Sequence, residues 1–269
     1  MRVRASDAGR VASWIAEARV IAVLTGAGIS TDSGIPDYRG PQGLWTRDPG
    51  AQRLVSIDAY LADPEVRRRA WASRRAHPAW TAAPNAGHRA LVDLERSGRL
   101  VALITQNIDE LHQRAGSSPE LTLELHGTIW QVACLDCGRR TPMIEELDRV
   151  SDSSPDPPCR SCGGILKSAT ISFGQPLEPG LLQRATLAAA SCDLFLAVGS
   201  SLTVQPAAAL CGVALAAGAR LVIVNAQPTP YDQLAGAGGG AVLREPIGEV
   251  LPALVAGLAD LSAGAGAAG

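Results

Sequence analysis

The chain is 269 residues long, which allows one large domain or a core carrying a smaller module. Its 24 Lys and Arg against 26 Asp and Glu leave a formal net charge of -2, so no overall basic field exists to hold a phosphate backbone or an anionic membrane, and neither nucleic acid nor membrane is an expected partner. Hydrophobic residues at 46% and charged residues at 19%, with 28 Gly and 18 Pro, describe a folded protein rich in turns and exclude a disordered one.

Taken in chain order, the first twenty residues carry Arg2, Arg4, Asp7, Arg10, Glu17 and Arg19, which leave no apolar segment for a secretory signal and predict a cytoplasmic protein. Short aliphatic runs at 20–24, 100–104, 121–125, 194–198 and 221–224 predict strands buried on both faces. Helical segments over 87–97, 181–190 and 206–217 lie between them, the pattern of a parallel α/β sheet. The uncharged stretch 194–219 is long enough to span a bilayer, but Gly199, Ser200, Ser201, Thr203, Gln205 and Pro206 interrupt it, so it reads as strand, polar loop and helix. Two stretches do not fit the sheet. Residues 36–84 hold several prolines and an Arg-rich helical segment over 64–77, and residues 127–167 hold paired cysteines around a Ser/Asp/Pro-rich loop. Together they predict a small second module beside the sheet, with a cleft between the two.

The first strand runs directly into Thr25-Gly26-Ala27-Gly28-Ile29-Ser30, a Gly-x-Gly turn at which backbone N–H groups can approach a pyrophosphate. Thr31 stands where the third glycine of the ordinary dinucleotide fingerprint would be, and a plain strand-to-helix turn remains the alternative. Cys134-x-x-Cys137 and Cys159-x-x-Cys162, each closed by glycine, are two thiolate knuckles separated by 21 residues, the donor set of one structural Zn²⁺. With all four positions taken by cysteine, no site is left for a catalytic water. Cys192 and Cys211 lie in apolar surroundings and read as small core residues. After the second strand, Thr105-Gln106-Asn107-Ile108-Asp109-Glu110-Leu111-His112 places an amide pair and a carboxylate where they can grip a carboxamide or, alternatively, cap the next helix. His126 ends the third strand, where an imidazole can take a proton from a sugar hydroxyl, or simply pack.

In this order the motifs resemble the sirtuin family of NAD-dependent protein deacylases. The resemblance is carried by 26–40 (GAGISTDSGIPDYRG), Gly43-Leu44-Trp45, 105–109 with Leu111-His112, Leu125-His126-Gly127, the four cysteines, Phe173-Gly174, Gly199-Ser200-Ser201-Leu202 and Val224-Asn225, over about residues 20–250. It implies a Rossmann-like sheet with an inserted zinc-binding module, forming one catalytic unit over residues 1–261. The core would take about 1–36, 87–127 and 170–261, the cofactor loop and helical insertion 37–86, the zinc module 128–169, and 262–269 a disordered tail. It also implies NAD as co-substrate, one structural Zn²⁺, and acyl-lysine proteins or peptides as partners. Gly26, Ala27, Gly28, Ile29, Asp37, Tyr38, Arg39 and Trp45 would line the NAD site, Gln106, Asn107, Ile108 and Asp109 would surround the nicotinamide and its ribose, and Gly199, Ser200, Ser201, Asn225, Ala226 and Gln227 would meet the adenosine half. His126 would be the general base, and Phe173-Gly174 would hold the peptide backbone as an added strand. The activity implied is deacylation with release of nicotinamide, free lysine and 2'-O-acyl-ADP-ribose. Mono-ADP-ribosyl transfer, or plain binding of NAD or ADP-ribose, are the competing readings.

Four departures from the family's pattern stand out. Tyr38 replaces the usual Phe, Glu110 a usual Gly, and Lys167-Ser168 a basic-Pro pair. Trp71-Ala72-Ser73-Arg74 keeps the arginine but not the tyrosine of the Tyr-x-x-Arg found in members that remove succinyl or malonyl groups, so Trp71 and Arg74 are expected at the acyl group. An alternative for Arg74 is one solvated arginine among Arg67, Arg68, Arg69 and Arg75.

Overall fold

The computed structural model describes residues 5–258, so the tail expected to be disordered, 262–269, lies outside the described residues. In the first half of the chain come α1 (Ala5–Glu17), β1 (Ile21–Thr25), α2 (Leu44–Arg47), α3 (Ile57–Ala62), α4 (Pro64–Arg75), α5 (Ala86–Arg96), β2 (Leu100–Thr105), α6 (Leu111–Ala115) and β3 (Thr122–Glu124). They are followed by β4 (Gly127–Cys134), β5 (Arg140–Pro142), α7 (Met143–Leu147), β6 (Leu166–Thr170), α8 (Pro179–Ser191), β7 (Leu194–Val198) and α9 (Ala209–Ala216). The chain then adds β8 (Arg220–Val224), α10 (Asp232–Ala237), β9 (Ala241–Leu243) and α11 (Ile247–Val255).

Six strands form one parallel sheet in the order β3-β2-β1-β7-β8-β9. Every residue of β1 and β7 is buried, as their unbroken apolar runs require of strands covered on both faces. One face packs on α1, α5 and α11 through Ile15, Leu91 and Leu251, and the other on α8 and α9 through Ala185, Ala189 and Leu210. Cys192 and Cys211 sit in that second core. Strand order runs outward in opposite directions from β1 and β7, so a crevice opens between their carboxyl ends, where α/β sheets bind ligands. Strand β9 was not anticipated, because three residues behind Gly238, Gly239 and Gly240 carry too little pattern to read. No helix among the described residues is long and apolar enough to cross a membrane.

The smaller unit is a three-stranded antiparallel sheet, β5-β4-β6, with α7 beside it. Lys167 and Ser168 belong to β6 itself. Helix α4 is started by Asp63, whose side chain accepts from the Glu65 N–H, and by Pro64 at its first turn. It turns Trp71 into the core of Val132, Cys134, Met143, Leu147, Cys159 and Leu166. The indole, 2% exposed, donates to Asp156 at 3.3 Å. Trp71 is thus a packing residue of the small module and is absent from the lining of the cleft, against the expectation that it meets the acyl group. A side chain this large stabilises by burial wherever an apolar core is within reach.

Candidate active site

A cavity of about 980 Å³ fills the crevice between the large sheet and the smaller unit. At its floor the ends of β1 and β7 touch through glycine backbones. The Gly28 N–H donates to the Gly199 carbonyl at 2.8 Å, and a Cβ on Gly28 would meet the Gly199 Cα at 2.8 Å. Gly199 has a φ of 63°, and a Cβ there would lie 2.4 Å from the Ile29 nitrogen, so only glycine fits. The Gly26 N–H is likewise taken, by the Val198 carbonyl at 3.0 Å. These glycines therefore bring two strand ends together to leave a cradle of bare backbone, rather than offering all their N–H groups to an anion. Ala27, Asp37, Tyr38, Arg39 and Trp45 join Gly26 and Gly28 on the lining. Ile29 is buried behind it. The Asp37 carboxylate closes its own turn by accepting from the Gly40 N–H at 2.9 Å. Tyr38 and Trp45 pack at a tilt of 46° with centroids 4.9 Å apart, Phe173 lies 5.7 Å beyond Trp45, and the Arg39 guanidinium sits 4.4 Å over the Trp45 ring.

At the end of β2, Gln106, Asn107 and Ile108 line the cavity while Asp109 stands behind them, 4% exposed. Its carboxylate accepts the Ser30 hydroxyl at 2.7 Å and the Leu111 N–H at 3.0 Å. Burial pushes this carboxyl up, and those two donors pull it back. Ser30 accepts in turn from the Asn107 amide at 3.2 Å and meets His88 Nε2 at 3.5 Å. His88 Nδ1 accepts the Asn85 N–H, so the ring is neutral with its proton on Nε2, and the Ser30 hydroxyl is satisfied on all sides. Beside it, His112 Nε2 reaches Thr25 Oγ1 at 2.9 Å, and Thr25 donates to Thr105 Oγ1 at 2.8 Å. The two rings are 4.9 Å apart, both buried, and both held below the ordinary imidazole range by burial. The sequence places Thr25 and Ser30 in the Gly-x-Gly motif without giving either side chain a role, and nothing in it singles out His88.

His126 lines the same cavity beside Gln106. Its Nδ1 is 2.9 Å from the Gln106 carbonyl, which can only accept, so the proton sits on Nδ1 and Nε2 carries a free lone pair. Burial lowers the pKa and the carbonyl partly restores it, favouring the neutral base. Ser200, expected with the adenosine half, accepts from the Gln106 amide at 2.8 Å and so stands beside Gln106. Gly199, Ser201, Asn225 and Gln227 line the same end, whereas Ala226 does not. Gly174 and Phe173 form the rim. The Phe173 backbone is already paired with the 55–57 segment, donating to the Val55 carbonyl at 2.7 Å and accepting from Ile57 at 3.0 Å. An added strand would have to use the opposite edge at Gly174, not Phe173 itself.

Arg74 reaches the lining from α4 with its Nε 3.3 Å from Ser168 Oγ. It forms no ion pair among the described residues, whereas Arg67 pairs with Asp156 and Arg68 with Glu65. Ser168 Oγ is 2.9 Å from Thr170 Oγ1, and the buried Lys167 ammonium donates to the carbonyls of Ser168 and Thr170. Burial, with Arg74 adding repulsion, brings that lysine down to about 7.

The sulfurs of Cys134, Cys137, Cys159 and Cys162 all lie within 4.8 Å of one another, with Cys134–Cys162 at 3.5 Å and Cys137–Cys159 at 3.8 Å. A tetrahedral zinc at the usual ~2.3 Å from sulfur requires S–S edges of ~3.8 Å. The four cysteines are positioned to bind one structural zinc.

A switch-point cavity floored by glycine, a neutral imidazole facing it and a thiolate module beside it define a nucleotide-binding enzyme of the Rossmann-like class. The Sir2 family model matches residues 26–206. The NAD-dependent protein deacetylase 2 of Streptomyces coelicolor is 55% identical over 239 residues, 89% of this chain and 98% of the relative, and the NAD-dependent protein deacetylase 1 of Bradyrhizobium diazoefficiens is 45% identical over 257 residues, 93% and 98%. A solved Sir2 variant with a deacetylated peptide and 3'-O-acetyl-ADP-ribose superposes with a TM-score of 0.84 at 34% identity, covering 93% of this chain and 97% of that one. A Sir2 homologue in complex with NAD gives 0.80 at 34% identity over 94% of each chain. The chain belongs to the Sir2 family, the sirtuins.

Proposed function

We propose that the chain is an NAD-dependent protein-lysine deacetylase releasing nicotinamide, free lysine and 2'-O-acyl-ADP-ribose. The observation that carries this reading is His126 on the lining of a cavity floored by glycine backbone, its Nδ1 held by the Gln106 carbonyl so that Nε2 is the unprotonated nitrogen. NAD, when bound, supplies an anomeric carbon with a leaving nicotinamide and a ribose diol.

Around it the chain's residues divide the work. Gly26, Ala27, Gly28 and Gly199 give the dinucleotide room, with Ser201, Asn225 and Gln227 at its far end. Asn107 faces the carboxamide, and Asp109 acts from behind by holding Ser30 and, through it, the Asn107 amide. His126 Nε2 takes a ribose hydroxyl proton, while the Gln106 carbonyl keeps Nδ1 protonated and the ring oriented. Tyr38, Trp45 and Phe173 exclude water from above, and Gly174 presents free backbone to the peptide.

The sheet (about 1–36, 87–127 and 170–261), the insertion 37–86 and the zinc module 128–169 act as one catalytic unit, in a cytoplasmic setting suited to cysteines that form no disulfide among the described residues. Desuccinylation is a weaker second activity that depends on Arg74, since its guanidinium reaches the cavity without a carboxylate partner. Incubation with NAD and acetyl-, propionyl- and succinyl-lysine peptides, followed by mass spectrometry, tests the assignment. Acyl-ADP-ribose with a deacylated peptide is the expected result. A peptide heavier by ADP-ribose would make the chain a transferase, and no turnover would leave it a binding module.

A further inference from the structure

Glu110 is one of two residues other than glycine with a positive φ among those described, at 58° with ψ 19°, a left-handed conformation that a Cβ resists. Its backbone gains nothing from being glutamate. Its side chain does: the carboxylate accepts the Thr128 hydroxyl at 2.5 Å, and the Thr128 oxygen accepts the Trp130 N–H at 3.1 Å. Two further bonds join the same two segments. The Ile129 N–H donates to the Ile108 carbonyl at 3.0 Å and the Trp130 indole to the Asp109 carbonyl at 2.9 Å. Residues 108–110, which carry Asp109 and follow Asn107, are therefore laced to residues 128–130 of β4, the strand that starts immediately after His126. Of the three tethers, the one through Glu110 is the only one whose acceptor is a side chain, and it holds a backbone turn that the residue does not favour.

We propose that Glu110 is a positioning residue. Its carboxylate, through Thr128, locks the loop bearing Asn107 and Asp109 against β4 and so fixes that loop relative to His126. The proposal rests on the reading of Asn107 and Asp109 as the nicotinamide side of the cavity.

Glu110→Gly, Glu110→Gln, Thr128→Val and the double variant Glu110→Gly/Thr128→Val separate this role from a merely structural one. Glycine relaxes the backbone and removes the tether, so the thermal midpoint should stay within about 2 °C of wild type while kcat/KM for NAD falls about tenfold. Glutamine keeps an acceptor and should stay within about twofold. Thr128→Val should lose as much as Glu110→Gly, and the double variant no more than either, because all three break one tether. Exchange of the Trp130 indole proton, assigned with Trp130→Phe, should quicken in Glu110→Gly and Thr128→Val but not in Glu110→Gln. Wild-type kinetics in Glu110→Gly, an equal loss in Glu110→Gln, or losses that multiply in the double variant would each overturn the proposal. If wild type turns over no acetyl-lysine peptide with NAD, the functional reading fails, and indole exchange still decides whether Glu110 holds the loop.

Discussion

The Nδ1 of His126 and the carbonyl oxygen of Gln106 stand 2.9 Å apart, and because the carbonyl has no proton to give, this contact selects the tautomer that leaves Nε2 basic. His126→Ala should therefore lower deacylation by about 10²–10⁴-fold while NAD affinity stays near wild type, since the ring moves a proton and does not hold the dinucleotide. Burial keeps the imidazole below its ordinary value. A lowered pKa favours the neutral base, so the acid limb of kcat/KM should lie at lower pH than an ordinary imidazole would give, with activity falling only as the ring takes a proton in more acid solution. A profile that instead falls between pH 8 and 7 would show that another group is the base.

Acid stability follows from the other buried imidazoles. Burial brings His88 and His77 down to about 4, and His112 well below its ordinary 6.5. Each binds a proton in the unfolded chain near pH 6.5 but not in the folded one until about pH 4 or lower. The unfolded state thus holds more protons in this window, so stability is complete above pH 6.5 and is lost as pH falls. For fully buried His88 the loss is on the order of 3 kcal/mol across the window. Urea titrations of wild type and His88→Gln at pH 7.5, 6 and 5 should show a slope shallower by about one proton in the variant. Comparing the two cancels protons taken up by the zinc thiolates.

The metal prediction rests on shared packing. Cys134 and Cys159 belong to the same cluster as Trp71, Val132 and Leu147, so two of the four ligands are also core residues of the small module, while Cys137 and Cys162 are exposed. Elemental analysis should find one zinc per chain. Cys137→Ala should lose the metal and soluble protein together, because structural zinc contributes ~10–16 kcal/mol of folding free energy in small modules. Zinc-free wild-type protein of full activity and stability would remove the metal from the account.

The parallel sheet was legible because β1, β2, β7 and β8 are continuous aliphatic runs, and the thiolate cluster because its spacing leaves little else for four cysteines to do. Other parts were hidden for definite reasons. Ser30, Asp109 and His88 join across 79 and 58 residues of sequence, and no local pattern announces a hydroxyl shared by a carboxylate, an amide and an imidazole. Trp71 was misplaced because the motif around it records which residues are near the acyl end, whereas the face of α4 that enters the small module's core is set by what packs there. The left-handed turn at Glu110 was out of reach too, since glutamate gives no sign of such a conformation.

The last expectation concerns the acyl group. Arg74 reaches the cavity with Ser168 as its neutral partner, and Thr170 and Ser172 continue a row of small hydroxyls along the same wall. Burial lowers the pKa of this guanidinium, with Tyr38 and Tyr60 opposing, and the half-buried side chain has no ion-pair partner among the described residues. A carboxylate at the end of a succinyl chain would supply the missing charge, whereas an acetyl methyl leaves it as it is. The indole of Trp71 is committed to Asp156, so Arg74 works without a second donor from that position. For one peptide in acetyl and succinyl forms, Arg74→Met should lower the succinyl kcat/KM by about tenfold and move the acetyl value by less than about threefold, a selective loss of ~1.4 kcal/mol. An unchanged ratio of the two would mean that Arg74 does not read the acyl group, and that its exposure to the cavity serves only to brace β6 through Ser168.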